Sequence, residues 1–339
     1  MSSVRLHRVA VLSPFASYLS GLGGAVERGF REARLPVSAL ENINNYVPSL
    51  RFYEFVANMA QREGIEDLGF RVGEKYGANC VDPRMTRLLR QSQTLFRGLR
   101  KASDLTNRTI SRCRMGLARS ADDGLTYLFH KPGCRYANVA SDQIAWFGLM
   151  TMIGMVRVYA GPDWRPTKIG VMSRRRPSDY IFDQLPNTRI ELSRPWSYVA
   201  MSKETISLVP RTTGAPENGQ VLVNLDPVDK SLIGSLKQAL GAYIGDSISI
   251  QMAAEICNTS SRTLQRQLTR RGVTFRRVLD EVRFDVARGM LADSDVAISD
   301  ISARLGYTNA TNFTRSFRRF WGVSPTEFRR INAPRPAIQ

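Results

Sequence analysis

Residues 298–328 read ISDISARLGYTNATNFTRSFRRFWGVSPTEF, and this stretch decides the fold of the C-terminal part of the chain. Ile298, Ile301 and Leu305 fall at i, i+3 and i+7, one apolar face of a short helix. Gly306 follows where a left-handed residue ends a helix at little cost. A second helix starts near Asn309, with Phe313, Phe317, Phe320 and Trp321 on its inner face. Thr311, Thr314, Arg315 and Arg318 occupy the opposite face. Gly322 closes it. Ser324-Pro325-Thr326-Glu327 then opens another helix: Ser324 as cap, Pro325 in the first turn and Glu327 reaching back, with Val323 and Phe328 as a staple. A short helix, a glycine turn and a longer helix with a basic outer face describe a helix-turn-helix.

The plan occurs once more, earlier in the chain. Ile250, Ala253, Ala254 and Ile256 mark a short helix, and Asn258-Thr259-Ser260 a turn and cap. Leu264 and Leu268 face inward. Arg262, Gln265, Arg266 and Thr269 recur at i, i+3, i+4 and i+7, a polar stripe on the other side. Arg and Gln are the side chains that form paired hydrogen bonds with guanine and adenine edges. Gly272 is expected to stop this helix. Between the two units, Phe275, Val278, Leu279, Val282 and Val286 predict one long amphipathic helix. A stiff helix there would hold two reading heads on a common side, able to enter successive major grooves about 34 Å apart.

The chain of 339 residues is long enough for two domains. Its hydrophobic fraction of 43% excludes a disordered chain. The net charge of +18 favours a polyanionic partner, nucleic acid before anionic lipid. Residues 230–339 hold 17 basic and 9 acidic side chains, a denser positive charge than the first 229 residues with 31 and 21. Cys80, Cys113, Cys134 and Cys257 form no CxxC pair, and His7 and His130 complete no zinc spacing. Scattered thiols and a start without an apolar leader suit a reducing cytoplasm. The uncharged apolar stretch Ile144–Val156 is shorter than the roughly 20 residues that span a bilayer, and is expected to be a buried helix rather than a membrane segment.

The first hundred residues read as helical, through Phe15, Tyr18, Leu19 and Leu22 and through Phe52, Phe55, Val56 and Met59. From about Thr109 the pattern changes: Thr126–His130 and Thr188–Leu192 predict short strands, and Ser141–Tyr159 a long buried helix. The expected fold is an α+β N-terminal domain joined to an all-α C-terminal domain of two helix-turn-helix units linked by a long helix. Its boundaries fall at 1–208 for the first domain and 209–229 for a Pro- and Gly-bearing linker. Residues 230–332 make the second domain and 333–339 a frayed tail.

Residues 231–332 closely resemble the DNA-binding domain of the AraC/XylS family of bacterial regulators. The resemblance rests on Ser261-Arg262-Thr263-Leu264-Gln265-Arg266 with Leu268 and Gly272, then Arg283, Ala287 and Leu291. In the second half it rests on Ile298-Ser299-Asp300-Ile301-Ser302, Leu305-Gly306-Tyr307, Asn312 to Arg319, and Gly322 to Arg329. Two departures are Ser302, where the family often has Ala, and Trp321 before the glycine. The resemblance implies that Arg262, Gln265, Arg266 and Thr269 read DNA in the first unit, and Ala310, Thr311, Thr314, Arg315 and Arg318 in the second. Arg262, Gln265 and Arg315 are the expected base readers; Arg318, Arg319, Arg276 and Arg277 are expected on phosphates.

Residues 10–205 resemble, without a sharp motif, the arabinose-binding-type effector and dimerisation domains of such regulators. This implies a homodimer, a small-molecule effector, double-stranded promoter DNA as partner, RNA polymerase as a further partner for an activator, and no cofactor. Arg174-Arg175-Arg176, with Tyr180, suits a clamp for a carboxylate or phosphate with a stacking ring; the plain alternative is a solvated loop. Arg5, His7 and Arg8 could act similarly, but a mobile terminus is the expected reading there. Trp146, Phe147, Met150 and Met152 read as core before ligand pocket. No nucleophile motif surrounds either histidine, and no phosphate loop is present; Cys134, beside Arg135, is the thiol that an adjacent charge could activate as a nucleophile. An enzyme is therefore not expected, and an architectural DNA-packaging protein is the other alternative, separable by its lack of sequence preference.

Overall fold

The computed structural model describes residues 3–133, 139–210, 227–245, 248–293 and 296–332. The chain forms two compact units, Arg5–Val228 and Met1–Val4 with Asp229–Gln339. Val4 thus goes with the C-terminal unit, where its amide donates to Ser235 Oγ at 2.8 Å. Most of the expected linker, the tail and Cys134 lie outside the described residues.

The N-terminal unit is α+β, as expected. It opens with strand β1 (Leu6–Arg8) and helices α1 (Val9–Gly21) and α2 (Val26–Glu32). Strand β2 (Tyr46–Pro48) pairs antiparallel with β1, His7 opposite Val47. Helices α3 (Ser49–Arg62), α4 (Leu68–Tyr76), α5 (Met85–Arg90) and α6 (Leu95–Thr109) follow. Next come β3 (Arg114–Arg119), β4 (Thr126–Lys131), α7 (Val139–Ala160), β5 (Lys168–Gly170), α8 (Asp179–Gln184), β6 (Arg189–Glu191), β7 (Ser197–Met201) and α9 (Lys203–Ile206). The five-stranded sheet has the order β3-β4-β7-β5-β6, antiparallel except for the parallel β5–β6 pair that α8 bridges.

Helix α7 is the spine of this unit. It runs well beyond the uncharged stretch seen in the sequence. Ala140–Ala160 is long and apolar enough to cross a membrane, yet most of it is buried inside the unit, against α3, α4 and β7. Its approach to α4 requires glycine: a Cβ at Gly69 would stand 1.9 Å from the Gln143 carbonyl oxygen. The Gln143 side chain fastens the same junction. Its Oε1 accepts from the Gly69 amide at 2.7 Å, and its Nε2 donates to the Glu66 carbonyl at 2.7 Å, satisfying backbone groups at the start of α4.

The N-terminal strand corrects one expectation. His7 and Arg8 are not on a mobile terminus but buried, Arg8 only 1% exposed. Arg8 Nη1 donates to Asp82 Oδ2 at 2.7 Å and Nη2 to Asn44 Oδ1 at 2.7 Å. Arg84 binds the same carboxylate at 2.8 and 2.9 Å. Burial alone would raise the Asp82 carboxyl, but the hydrogen bonds from Arg84 and Arg8 outweigh it and hold it below the ordinary range. Sequence patterning misses such a device, because Arg8 and Asp82 meet only through the tertiary fold.

Burial, with His130 nearby, pushes the His7 imidazole down to about 3, and burial pushes His130 down to about 4. Both rings are neutral when folded and gain protons near pH 6.5 when unfolded. Their contribution to stability is complete above pH 6.5 and declines as pH falls toward about 4, by up to about 1.4 kcal/mol per pH unit for each ring. Thermal unfolding between pH 7.5 and 5 should therefore show a falling midpoint, and His130→Phe should flatten that slope; an unchanged slope would place the acid sensitivity elsewhere.

The C-terminal unit is all-α over its described residues: α10 (Leu232–Gly241), α11 (Ile250–Ile256), α12 (Ser261–Thr269), α13 (Phe275–Asp293), α14 (Ile298–Arg304), α15 (Ala310–Trp321) and α16 (Pro325–Asn332). Helix α13 is the rod read from the sequence. Val278, Leu279 and Val282 are buried in its first half, where it packs on α10 and Lys237 pairs with Glu281 at 2.5 Å. Phe284, Ala287 and Leu291 in its second half join Ile301, Leu305, Phe313 and Phe317 in one core. Ser302 fits where a smaller residue would, at the cost of a buried hydroxyl without a hydrogen-bond partner among the described residues.

Candidate nucleic-acid interface

In the first head, the chain leaves α11 through Asn258, whose φ of +52° suits an Asn turn residue. Ser260 Oγ then accepts from the Thr263 amide at 3.2 Å and starts α12. Leu264 and Leu268 are buried. Arg262, Gln265, Arg266 and Thr269 are all exposed, so the stripe predicted to read bases is free of the core. Gly272 does not itself end α12. The helix stops at Thr269, and Gly272, with φ of +72°, sits in the turn that leads to α13. Arg270 and Arg271, exposed at the end of α12, extend the basic surface; the sequence stripe omits them because they fall outside the i, i+3, i+4, i+7 rule.

In the second head, Gly306 adopts φ of +75° after α14, and Asn309 Oδ1 accepts from the Asn312 amide at 2.8 Å to begin α15. Phe313 and Phe317 are fully buried, and Trp321 packs on the same core. Phe320 is a correction: it is 44% exposed and lies against Phe284, ring centroids 4.8 Å apart. One helical turn after Phe317 falls between positions 320 and 321. Trp321 takes the core side, near Phe328, and Phe320 the outer edge. Gly322, with φ of +78°, closes α15, and the Glu327 amide donates to Ser324 Oγ at 3.2 Å as the capping signature predicts.

Ala310, Thr311, Thr314, Arg315 and Arg318 line one open concave surface along α15, together with Arg319 and Gly322. The structure thus brings together every residue assigned to the second stripe. Arg315, Arg318 and Arg319 are exposed and supply its charge, while Ala310 and Thr314 are half-buried and shape its floor. Short side chains beside long guanidinium groups are the combination that would admit a base edge to the helix and leave arginines to reach phosphate or guanine.

The cluster assigned to an effector is arranged differently. Arg174, Arg175 and Arg176 are exposed ahead of α8. Arg175 pairs with Asp142 at 3.3 Å, and Arg176 with Asp179 at 3.5 Å. Tyr180 lies in a separate polar cleft with Tyr18, Asp67, Arg71 and Ser178. The Arg71 guanidinium stands 3.9 Å over its ring, and its hydroxyl donates to Glu74 at 2.7 Å. Burial and that carboxylate push the Tyr180 phenol up to about 12. The three arginines do not line this cleft.

Paired helix-turn-helix heads sharing one rod define a DNA-binding transcription regulator. The comparisons place it more closely: residues 253–331 match the helix-turn-helix domain, and residues 23–208, over half of the chain, match the arabinose-binding domain of AraC transcription regulators. The chain belongs to the AraC family of transcription regulators. It is 31% identical over 147 residues to the ornithine utilization regulator of Pseudomonas aeruginosa, covering 41% of this chain and 43% of that protein. It is 34% identical over 102 residues to the transcriptional regulator VqsM of the same organism, covering 29% of this chain and 31% of that one. The chain therefore matches less than half the length of these curated relatives. Among solved structures, the transcriptional regulator CdpR of Pseudomonas aeruginosa aligns over 94% of this chain and 97% of its own, at 19% identity and a TM-score of 0.42.

Proposed function

We propose that the chain is a sequence-specific, effector-responsive activator that binds promoter DNA through both heads. The observation that carries this reading is that each head buries one face of its second helix and leaves the opposite stripe free. Arg262 and Gln265 stand on one, and Arg315 among small residues on the other. The N-terminal unit receives a small molecule and forms the homodimer. Effector binding shifts the population between DNA-competent and DNA-incompetent states, and the bound protein then recruits RNA polymerase in the bacterial cytoplasm, at the nucleoid.

Arg262→Ala and Arg315→Ala should each weaken specific binding by about 1–3 kcal/mol and relax one base preference, with little effect on random duplex. Fluorescence titrations on a selected site and on random DNA check this. Equal losses on both duplexes would make these arginines phosphate contacts only. A packaging protein, the competing class, would select no sequence at all.

A further inference from the structure

The N-terminal unit encloses a small apolar cavity of about 40 Å³. His7 of β1, Phe52 of α3, Met115 of β3, His130 of β4, and Phe147 and Met152 of α7 are among the residues that line it. The chain has two histidines, and both are here, though the sequence separates them widely. Among the described lining residues there is no Asp, Glu, Lys or Arg.

The polar groups of the wall are few, and most are committed. His7 Nδ1 is hydrogen-bonded to Ser49 Oγ at 2.8 Å. Thr106 Oγ1 donates to the Ala102 carbonyl and Thr151 Oγ1 to the Phe147 carbonyl, both at 2.8 Å. His130 Nδ1 is buried and has no hydrogen-bond partner among the described residues. A buried polar atom left in this state costs free energy, and a ligand that pairs with it recovers that cost. Opposite His130, α7 carries Gly148; a Cβ there would stand 2.8 Å from Nδ1. The absent side chain leaves the imidazole its room.

We propose that this cavity is the effector site and takes a neutral, mainly apolar small molecule with one hydroxyl or carbonyl, which pairs with His130. The assignment rests on reading the N-terminal unit as an effector receiver. It departs from the sugar that the matched domain's description suggests. A pentose brings several hydroxyls, and this wall cannot satisfy them, so each would lose its water without replacement. A cation would find no carboxylate on the wall, and an anion no permanent positive charge. The empty space is smaller than the roughly 150 Å³ that accepts benzene in a protein interior. Met115, Met152 and Met155 line it and supply the adjustable volume, because unbranched thioether chains repack easily.

The test uses the full chain with labelled histidines, whose two imidazole signals both report on the cavity. Phenol, benzene and L-arabinose are titrated while affinity for a duplex selected from a random pool is followed in parallel. Phenol should shift both signals saturably and bind roughly three- to tenfold tighter than benzene, the worth of one hydrogen bond. His130→Phe should bring phenol down to the affinity of benzene. Gly148→Ala should weaken phenol by displacing the imidazole. Imidazole shifts with arabinose, or none with phenol, overturn the assignment. Saturated imidazole shifts with an unchanged DNA affinity leave the site standing and sink the effector reading instead.

Discussion

Phe317→Ala should cost about 3–5 kcal/mol and melt the second head while the first stays folded. Phe317 has no exposed surface and sits at the centre of an aromatic cluster. Its ring meets Phe284 of the rod edge-on at 5.9 Å, Phe328 of α16 edge-on at 5.7 Å, and Phe313 at 5.6 Å. Truncation removes all three contacts at once and leaves a void where three helices meet. A domain's whole stability is about 5–15 kcal/mol, so a head this small keeps little in reserve. Urea unfolding followed by tryptophan fluorescence reads the loss through Trp321, which packs in the same cluster. Footprinting should show protection lost at one half of the site only. A cost below 1 kcal/mol, or unaltered footprints on both halves, would mean that this core does not hold α15 in place.

Asp82→Ala should be comparably severe in the N-terminal unit, at about 3–5 kcal/mol. The carboxylate is fully buried and serves both Arg8 and Arg84. Without it Arg8, 1% exposed, keeps the neutral partner Asn44 among the described residues while its charge remains out of water. Arg84, 39% exposed, can turn to solvent. The asymmetry gives a sharper prediction: adding Arg8→Met to Asp82→Ala should recover much of the loss, since the unpaired charge, more than the missing bond, carries the cost. Chemical denaturation of the three variants checks this. Additive losses would show that the pair is not coupled. The carboxylate, held below its ordinary range, is stabilising above about pH 4 and loses that contribution on acidification, in the same direction as the two histidines.

The helices of the C-terminal unit were legible because local rules suffice there. Ser260 and Asn309 cap, Gly306 and Gly322 take left-handed turns, and Phe313 and Phe317 repeat at the spacing of one helical face. Where two positions share the edge of a face, periodicity cannot choose: it puts Phe320 inside, and the fold puts it outside. In the N-terminal unit α7 and the strands β4 and β6 were readable from apolar runs and alternation. The strand pair β1–β2 was not, since three-residue strands carry almost no pattern and β1 reads as an ordinary terminus. The candidate cavity escaped for a stronger reason. His7 and His130 meet only through the packing of β1, β4 and α7, and nothing at either position marks it locally. The conspicuous Arg174-Arg175-Arg176 run points the opposite way: an evident motif that the fold leaves on the surface, with Arg175 and Arg176 paired to acidic neighbours.

The two exposed stripes are expected to read two separate stretches of DNA. Selection of bound duplexes from a random pool, run in parallel on the unaltered chain, Arg262→Ala and Arg315→Ala, tests it most directly. The expected result is a bipartite sequence with its halves about one helical turn apart, roughly 10 base pairs, each variant blurring a different half. No enriched sequence, or the same half blurred by both variants, would contradict it.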